Sequence, residues 1–128
     1  MSADKINVAV VDDDDGFCRA LGRLLRAAGF EPAMYPSAET FLQDLARARV
    51  DCLVIDIHLG GMSGFDLQRH LAASGAPPPI IFMTGHDEPG TPERARKAGC
   101  VAFLRKPFVG NALLEAIRRA VEARPNAE

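Results

Sequence analysis

The chain has 128 residues, of which 48% are hydrophobic and 25% are charged, and its formal net charge is −2. This composition is that of one globular domain with a sizeable hydrophobic core, and it argues against intrinsic disorder. The nearly neutral charge balance gives no indication of non-specific nucleic-acid binding.

The cysteines and the N-terminal segment indicate in which cellular compartment the protein lies. The cysteines are odd in number and lack metal-type spacing: Cys18, Cys52 and Cys100. Because each lies in an apolar stretch, we interpret them as reduced core residues in a reducing environment. The first five residues lack an apolar signal core, and no apolar run reaches membrane-spanning length. We therefore expect a soluble, cytoplasmic protein that does not contact a membrane.

Short apolar runs alternate with segments of helical periodicity along the chain. The predicted strands cover residues 6–11, 32–35, 52–55, 80–83 and 101–104. The predicted helices cover about 16–28, a segment after Ser37, about 65–73, a short segment ending before Gly99, and about 111–123. This alternation predicts an α/β fold, a doubly wound five-stranded parallel sheet with five helices on both faces. The default strand order for such a fold is the flavodoxin-like 2-1-3-4-5.

Local signals refine these elements. Ser37 is a suitable N-cap for the second helix, because its hydroxyl can accept a hydrogen bond from a free backbone amide. The periodicity of the first helix places these residues on its core face: Phe17, Ala20, Leu21, Leu24, Leu25 and Ala28. We expect a single domain over residues 1–128, with a core spanning about 5–123 and a frayed tail at 124–128.

Polar side chains follow four of the predicted strands. Four consecutive acids, Asp12 to Asp15, follow the first strand, and Asp56 follows the third. Thr84 follows the fourth strand, and Lys106 comes soon after the fifth. Because the carboxyl ends of parallel strands meet at one edge of the sheet, we expect these side chains to share a crevice.

The residue types at this edge suit a divalent cation and a phosphoryl group. Clustered carboxylates repel one another, and Mg²⁺ relieves such repulsion while keeping waters and accepting phosphate oxygens. Asp56 could serve as a metal ligand and as a nucleophile that forms an aspartyl-phosphate. Lys106 would supply a fixed positive charge, and Thr84 a hydroxyl donor to a phosphoryl oxygen.

Four ordered motifs resemble those of a known family. They are Val10-Val11-Asp12-Asp13, Val54-Ile55-Asp56 with Met62-Ser63-Gly64, Phe82-Met83-Thr84-Gly85-His86, and Phe103-Leu104-Arg105-Lys106-Pro107-Phe108. Over essentially its whole length the sequence resembles the receiver domain of bacterial two-component response regulators. It is most similar to the receivers of nitrogen-fixation-type transcriptional regulators, in which Thr-Gly-His and Lys-Pro-Phe are usual.

The resemblance implies roles for the acidic residues. Asp56 would accept a phosphoryl group from a sensor histidine kinase or a phosphotransfer protein. Asp13 and Asp56 would bind Mg²⁺ (or Mn²⁺) directly, and Asp12 would act through water. His58 would offer its backbone carbonyl as a further metal ligand.

The resemblance also implies how the signal leaves the site. Thr84 and Lys106 would contact the phosphoryl group, and the Lys106-Pro107 peptide bond would be cis. Phe103 matches the family's switch aromatic, whose rotamer follows Thr84; the alternative is an ordinary core aromatic. Two copies would pair through the last two helices after phosphorylation, and the domain would be a phosphoacceptor, not an enzyme.

Two features depart from the family's commonest pattern. Gly60 stands where Pro is usual, which predicts a looser loop after Asp56. Pro89, Gly90 and Pro92 interrupt the segment that opens the fourth helix. Since that helix belongs to the family's signalling face, the resemblance does not by itself imply a standard output surface, whereas its implication of phosphorylation is unaffected.

Two histidines lie at positions that flank the phosphoryl group in this family. His58 and His86 follow Asp56 and Thr84 by two residues each. We hypothesise that these imidazoles tune autodephosphorylation, by hydrogen bonding or by positioning water. The alternative is that both are solvent-facing loop residues without kinetic effect.

Two other functions stay open at this point. In a haloacid-dehalogenase-like phosphohydrolase the nucleophile would be Asp13, although Phe17 replaces the usual Thr or Ser of that motif. A pseudo-receiver would keep the fold as an interaction module without phosphorylation. No helix-turn-helix pattern occurs in this segment, so we expect no direct contact with nucleic acid. A stand-alone regulator and the receiver part of a longer protein both agree with the sequence.

Overall fold

The computed structural model describes residues 5–123, and within them five strands form one parallel sheet. The strands are β1 (Asn7–Val11), β2 (Glu31–Tyr35), β3 (Cys52–Asp56), β4 (Ile80–Thr84) and β5 (Ala102–Arg105). The helices are α1 (Asp15–Ala27), α2 (Ala38–Asp44), α3 (Gly64–Ala73), α4 (Thr91–Lys97) and α5 (Gly110–Glu122). The strand order β2-β1-β3-β4-β5 confirms the predicted doubly wound fold. The expected tail at 124–128 lies outside the described residues.

The strands are buried on both faces, which explains their nearly continuous apolar sequences. Alternate residues of a strand point to opposite faces of the sheet. One set packs with α2, α3 and α4 and includes Val11, Ile55 and Phe82. The other set packs with α1 and α5 and includes Val54 and Met83. The helices therefore cover both faces and leave the carboxyl edge of the sheet open.

The buried face of α1 differs from the predicted one at three positions. Ala20, expected in the core, is exposed, whereas Cys18 and Gly22 are buried beside Leu21 and Leu25. These four positions follow the i, i+3, i+4, i+7 spacing of one helical stripe, and Ala20 falls outside it. Cys18 and Cys52 are buried and Cys100 is half-buried, and all three thiols are free.

The element ends agree with the local signals. The Ser37 hydroxyl accepts a hydrogen bond from the Thr40 amide at 3.0 Å, as expected of an N-cap. Helix α4 is short and begins only at Thr91, after Gly90 with φ of +85°. Strand β5 begins one residue later than predicted, and Val101 lies outside it with 48% of its surface exposed.

Gly64 brings the start of α3 against the end of β3. A Cβ atom at this position would lie 2.7 Å from the Asp56 carbonyl oxygen and 2.8 Å from the Ile57 Cα, both backbone atoms. Because backbone cannot yield as a side chain can, we expect Gly64→Ala to lower the free energy of unfolding by about 2 kcal/mol. Chemical denaturation measures this change.

Gly60, in the same loop, provides the matched control. A Cβ atom there would meet no atom of residues 5–123 within 4 Å, apart from its own chain neighbours, and the backbone of Gly60 is not in the left-handed region. Gly60→Ala should therefore change the free energy of unfolding by no more than about 0.5 kcal/mol. Equal effects of the two substitutions would contradict the close approach of α3 to β3.

Candidate functional site

The carboxyl edge of the sheet brings together the side chains that end or follow its strands. Asp56 and Thr84 are the last residues of β3 and β4, and Asp12 and Lys106 directly follow β1 and β5. Asp56 pairs with Met83 in the sheet, so these strands end almost level with one another. Asp12, Asp56 and Thr84 are buried, and the Lys106 side chain is 19% exposed.

Three carboxylates form a cluster at this edge. One oxygen from each of Asp12, Asp13 and Asp56 lies within 4.8 Å of the others. Asp14 has a different role: its carboxylate accepts a hydrogen bond from the Phe17 amide at 3.0 Å and caps α1. Hard carboxylate oxygens around a partly exposed position are the ligand type that Mg²⁺ prefers, so the residues present fit this ion.

Lys106 bridges two of the carboxylates. Its Nζ atom lies 2.6 Å from Asp12 Oδ2 and 3.1 Å from Asp56 Oδ2. Burial raises the pKa of Asp12, and the nearby ammonium of Lys106 only partly opposes this effect. Burial alone would lower the pKa of Lys106, but its hydrogen bonds to the two carboxylates outweigh this, so the pKa is raised. The lysine therefore stays charged, and its single ammonium lies between two carboxylates.

Backbone amides hold the remaining carboxylate oxygens. The His58 amide donates to Asp56 Oδ1 at 2.9 Å, and the Asp14 amide donates to Asp12 Oδ1 at 2.9 Å. These hydrogen bonds and those from Lys106 fix the carboxylates of Asp12 and Asp56, since each is bound through both of its oxygens. The Lys106-Pro107 peptide bond is cis, as the family resemblance implied.

Thr84 is held by its own loop. Its hydroxyl accepts a hydrogen bond from the His86 amide at 3.0 Å and donates to the His86 carbonyl at 3.3 Å. Phe103 is half-buried and packs on the core beside α4. It lines a cavity of about 60 Å³ whose wall also includes His86 and Thr91. His86 thus binds the Thr84 hydroxyl through its backbone and also lines the cavity beside Phe103.

The two histidines contact each other, which the sequence reasoning did not predict. The centroids of the His58 and His86 rings are 4.1 Å apart, and the ring planes meet at 75°. His58 Nε2 is buried, has no hydrogen-bond partner among residues 5–123, and lies 3.5 Å from Glu88 Oε1. The sequence did contain an indication of this contact: each histidine lies two residues after the end of its strand, and β3 and β4 are neighbouring parallel strands.

Glu39 tethers the loop that follows β3. Its Oε2 atom accepts a hydrogen bond from the Met62 amide at 2.9 Å, and this bond lowers the pKa of Glu39. A Cβ atom on Gly61 would lie 2.9 Å from the same oxygen. The looseness expected from Gly60 is therefore offset by a contact with α2. No local pattern could reveal it, since 23 positions separate the two residues.

Comparison with known proteins identifies the class to which this fold and site belong. The family model of the response regulator receiver domain matches residues 8–118. The chain is 40% identical over 118 residues to the response regulator protein TmoT of Ectopseudomonas mendocina, covering 92% of this chain and 54% of TmoT. It is 35% identical over 125 residues to the transcriptional regulatory protein FixJ of Bradyrhizobium diazoefficiens, covering 97% and 61% of the two chains.

The solved structures agree. The crystal structure of FixJ-N superposes with a TM-score of 0.87 at 35% identity, covering 97% of this chain and 99% of that one. Full-length FixJ from B. japonicum superposes with a TM-score of 0.86 at 34% identity, covering 94% and 59%. The chain belongs to the response regulator receiver domain family of two-component systems.

The chain spans about half the length of the curated relatives it matches. Among residues 5–123, no helix is both long enough and apolar enough to cross a membrane.

Proposed function

We propose that the protein is a phosphorylation-dependent switch in which Asp56 accepts a phosphoryl group from a sensor histidine kinase or a phosphotransfer protein. The observation that carries the proposal is a buried Asp56 carboxylate, bound by the Lys106 ammonium at 3.1 Å and clustered with Asp12 and Asp13. An oxygen of Asp56 forms a bond to phosphorus, and the bond from phosphorus to the donor breaks. The domain acts as a phosphoacceptor, not an enzyme.

The acidic residues would hold the cation that the transfer needs. Asp13 and Asp56 would bind Mg²⁺ (or Mn²⁺) directly, Asp12 would act through water, and the His58 carbonyl would be a further protein ligand. When bound, the ion offsets negative charge on the phosphoryl oxygens. Lys106 stays protonated and pairs with a phosphoryl oxygen, giving up one of its two carboxylate contacts.

Movement of Thr84 would transmit the signal. A phosphoryl group adds charge and strong acceptor oxygens at Asp56, and these attract the Thr84 hydroxyl away from the His86 backbone. Phe103 then turns into the space that this leaves, next to the cavity of about 60 Å³ that it already lines. Such a packing change, biased by a local charge, alters the surface formed by α4, β5 and α5.

The partners and the location follow from this role. We infer a cytoplasmic protein, which the three free thiols support. We infer that residues 1–128 form one receiver unit, that two copies pair through α4 and α5 after phosphorylation, and that this segment does not itself bind nucleic acid. The relatives TmoT and FixJ are a response regulator and a transcriptional regulatory protein, and each is longer than this chain.

Mapping the phosphorylated residue tests the proposal. The protein is incubated with acetyl phosphate and Mg²⁺, the acyl phosphate is trapped by borohydride reduction, and the peptide is identified by mass spectrometry. We expect modification at Asp56. Modification at Asp13 would instead indicate a haloacid-dehalogenase-like phosphohydrolase, and an unmodified protein would indicate a pseudo-receiver.

The contact between His58 and His86 predicts that they set the lifetime of the phosphoryl group together. We expect His58→Ala and His86→Ala to change the rate of autodephosphorylation in the same direction, because either substitution separates the ring pair. The double variant should then change the rate less than the sum of the two effects, with a coupling of about 0.5 kcal/mol or more. Decay of labelled protein measures this; parental rates in both single variants would refute it.

A further inference from the structure

The Phe17 ring lies against the ammonium group of Lys106. The ring centroid is 4.2 Å from Lys106 Nζ, which is within the range of a cation–π interaction. Phe17 is half-buried in the first turn of α1, where its amide donates to the Asp14 carboxylate at 3.0 Å. Its ring also meets the Phe108 ring edge to face, with centroids 6.0 Å apart. The helix cap therefore holds the Phe17 backbone, and the Phe108 ring packs against the Phe17 ring.

Three groups surround the Lys106 ammonium. It donates to Asp12 Oδ2 and to Asp56 Oδ2, and the Phe17 ring occupies a further side. A lysine ammonium is a compact, strongly hydrated charge on a flexible stem, so its position is poorly defined unless neighbours hold it. An aromatic face attracts the cation without offering an acceptor that would compete with the carboxylates.

We propose that Phe17 is a positioning residue for phosphoryl transfer, acting through Lys106. The ring keeps the ammonium beside Asp56 and replaces water on that side. The charge therefore already lies next to the carboxylate when the phosphoryl group arrives. This inference rests on the proposed function, because Lys106 acts on a phosphoryl group only if Asp56 accepts one.

The first test compares rates of phosphorylation by acetyl phosphate in the presence of Mg²⁺. We expect Phe17→Leu, which keeps an apolar side chain but removes the π face, to lower the rate constant about tenfold, equivalent to about 1.4 kcal/mol. Phe17→Tyr keeps the face and should restore most of the rate. Phe30→Leu is the matched control: Phe30 directly precedes β2, at the opposite edge of the sheet, and its ring lies 5.9 Å from the Arg118 guanidinium, so the rate should stay near the parental value.

The second test detects the contact between the Phe17 ring and the Lys106 ammonium directly, without phosphorylation. The Lys106 Cε atom is bonded to the Nζ atom that lies 4.2 Å from the ring centroid, so we expect ring currents to shift the NMR signal of the Cε protons upfield, with Lys106→Arg providing the assignment. The shift should disappear in Phe17→Leu and persist in Phe17→Tyr. Thermal melting of each variant establishes that it is folded.

The outcomes separate the two proposals. If the parent takes up no phosphate on Asp56, the proposed function fails whatever Phe17 does. If the parent is labelled and Phe17→Leu reacts at the parental rate, the positioning role is wrong. An equal loss of rate in Phe17→Leu and Phe17→Tyr, or a Lys106 signal without an upfield shift, also overturns it.

Discussion

Asp56→Asn is expected to reduce the incorporation of phosphate from acetyl phosphate to background. The asparagine amide has nearly the shape of the carboxylate, and its oxygen can still accept from the His58 amide, which donates to Asp56 at 2.9 Å. It lacks the negative charge and the nucleophilic oxygen that an acyl phosphate requires. The variant should therefore fold and fail only in the reaction, which labelling and circular dichroism measure on the same sample.

Asp14→Asn is the matched control for this substitution. Asp14 belongs to the same acid run but caps α1, and Asn is an equally good N-cap. We expect labelling at the parental level. A labelled Asp56→Asn protein would refute the assignment of Asp56 as the phosphoacceptor.

Mg²⁺ is expected to stabilise the folded protein substantially, and Asp13→Asn should remove most of this gain. At a free Mg²⁺ concentration one hundred times the dissociation constant, the free energy of unfolding should rise by about 2.7 kcal/mol. The reason is that the carboxylates of the cluster lie within reach of one ion only when β1 and β3 are assembled. Urea denaturation with and without MgCl₂ measures the gain.

Asp15→Asn controls for the general loss of an acidic charge. Asp15 is exposed in the first turn of α1 and does not belong to the cluster of Asp12, Asp13 and Asp56. The Asp15→Asn protein should keep the full stabilisation by Mg²⁺. If Asp13→Asn and Asp15→Asn lose the same amount, the cluster is not the metal site.

The stabilisation by Mg²⁺ should also grow as the pH rises. Burial raises the pKa of Asp12 above its ordinary value of 3.8, so folding favours the protonated form of this group. The stability that Asp12 contributes without metal is therefore present at low pH and is lost as the pH rises through its folded-state pKa. Protons and Mg²⁺ compete for the carboxylates, so we expect a larger gain at neutral than at acidic pH.

The proximity of the main site residues could be predicted because it follows from chain order. Asp56, Thr84 and Lys106 end or follow apolar runs, and parallel strands place their carboxyl ends at one edge. The division of labour within the acid run could not be predicted in this way. Asp14 turns to cap α1 while Asp12 and Asp13 join the cluster, and this depends on the direction in which the helix leaves the strand.

The amino-acid sequence by itself determined the alternation of strands and helices and the polar residues at the strand ends, and the strand order followed as the default for that alternation. Hydrophobic periodicity, helix caps and helix breakers are local properties, so a short stretch of sequence is enough to recognise them. Only the tertiary structure decided that Phe17 lies on Lys106, that Glu39 holds Met62 and that His58 meets His86. Those contacts join residues of separate elements. They form only when each helix packs on the sheet in one particular position, and that position depends on the packing of the whole hydrophobic core.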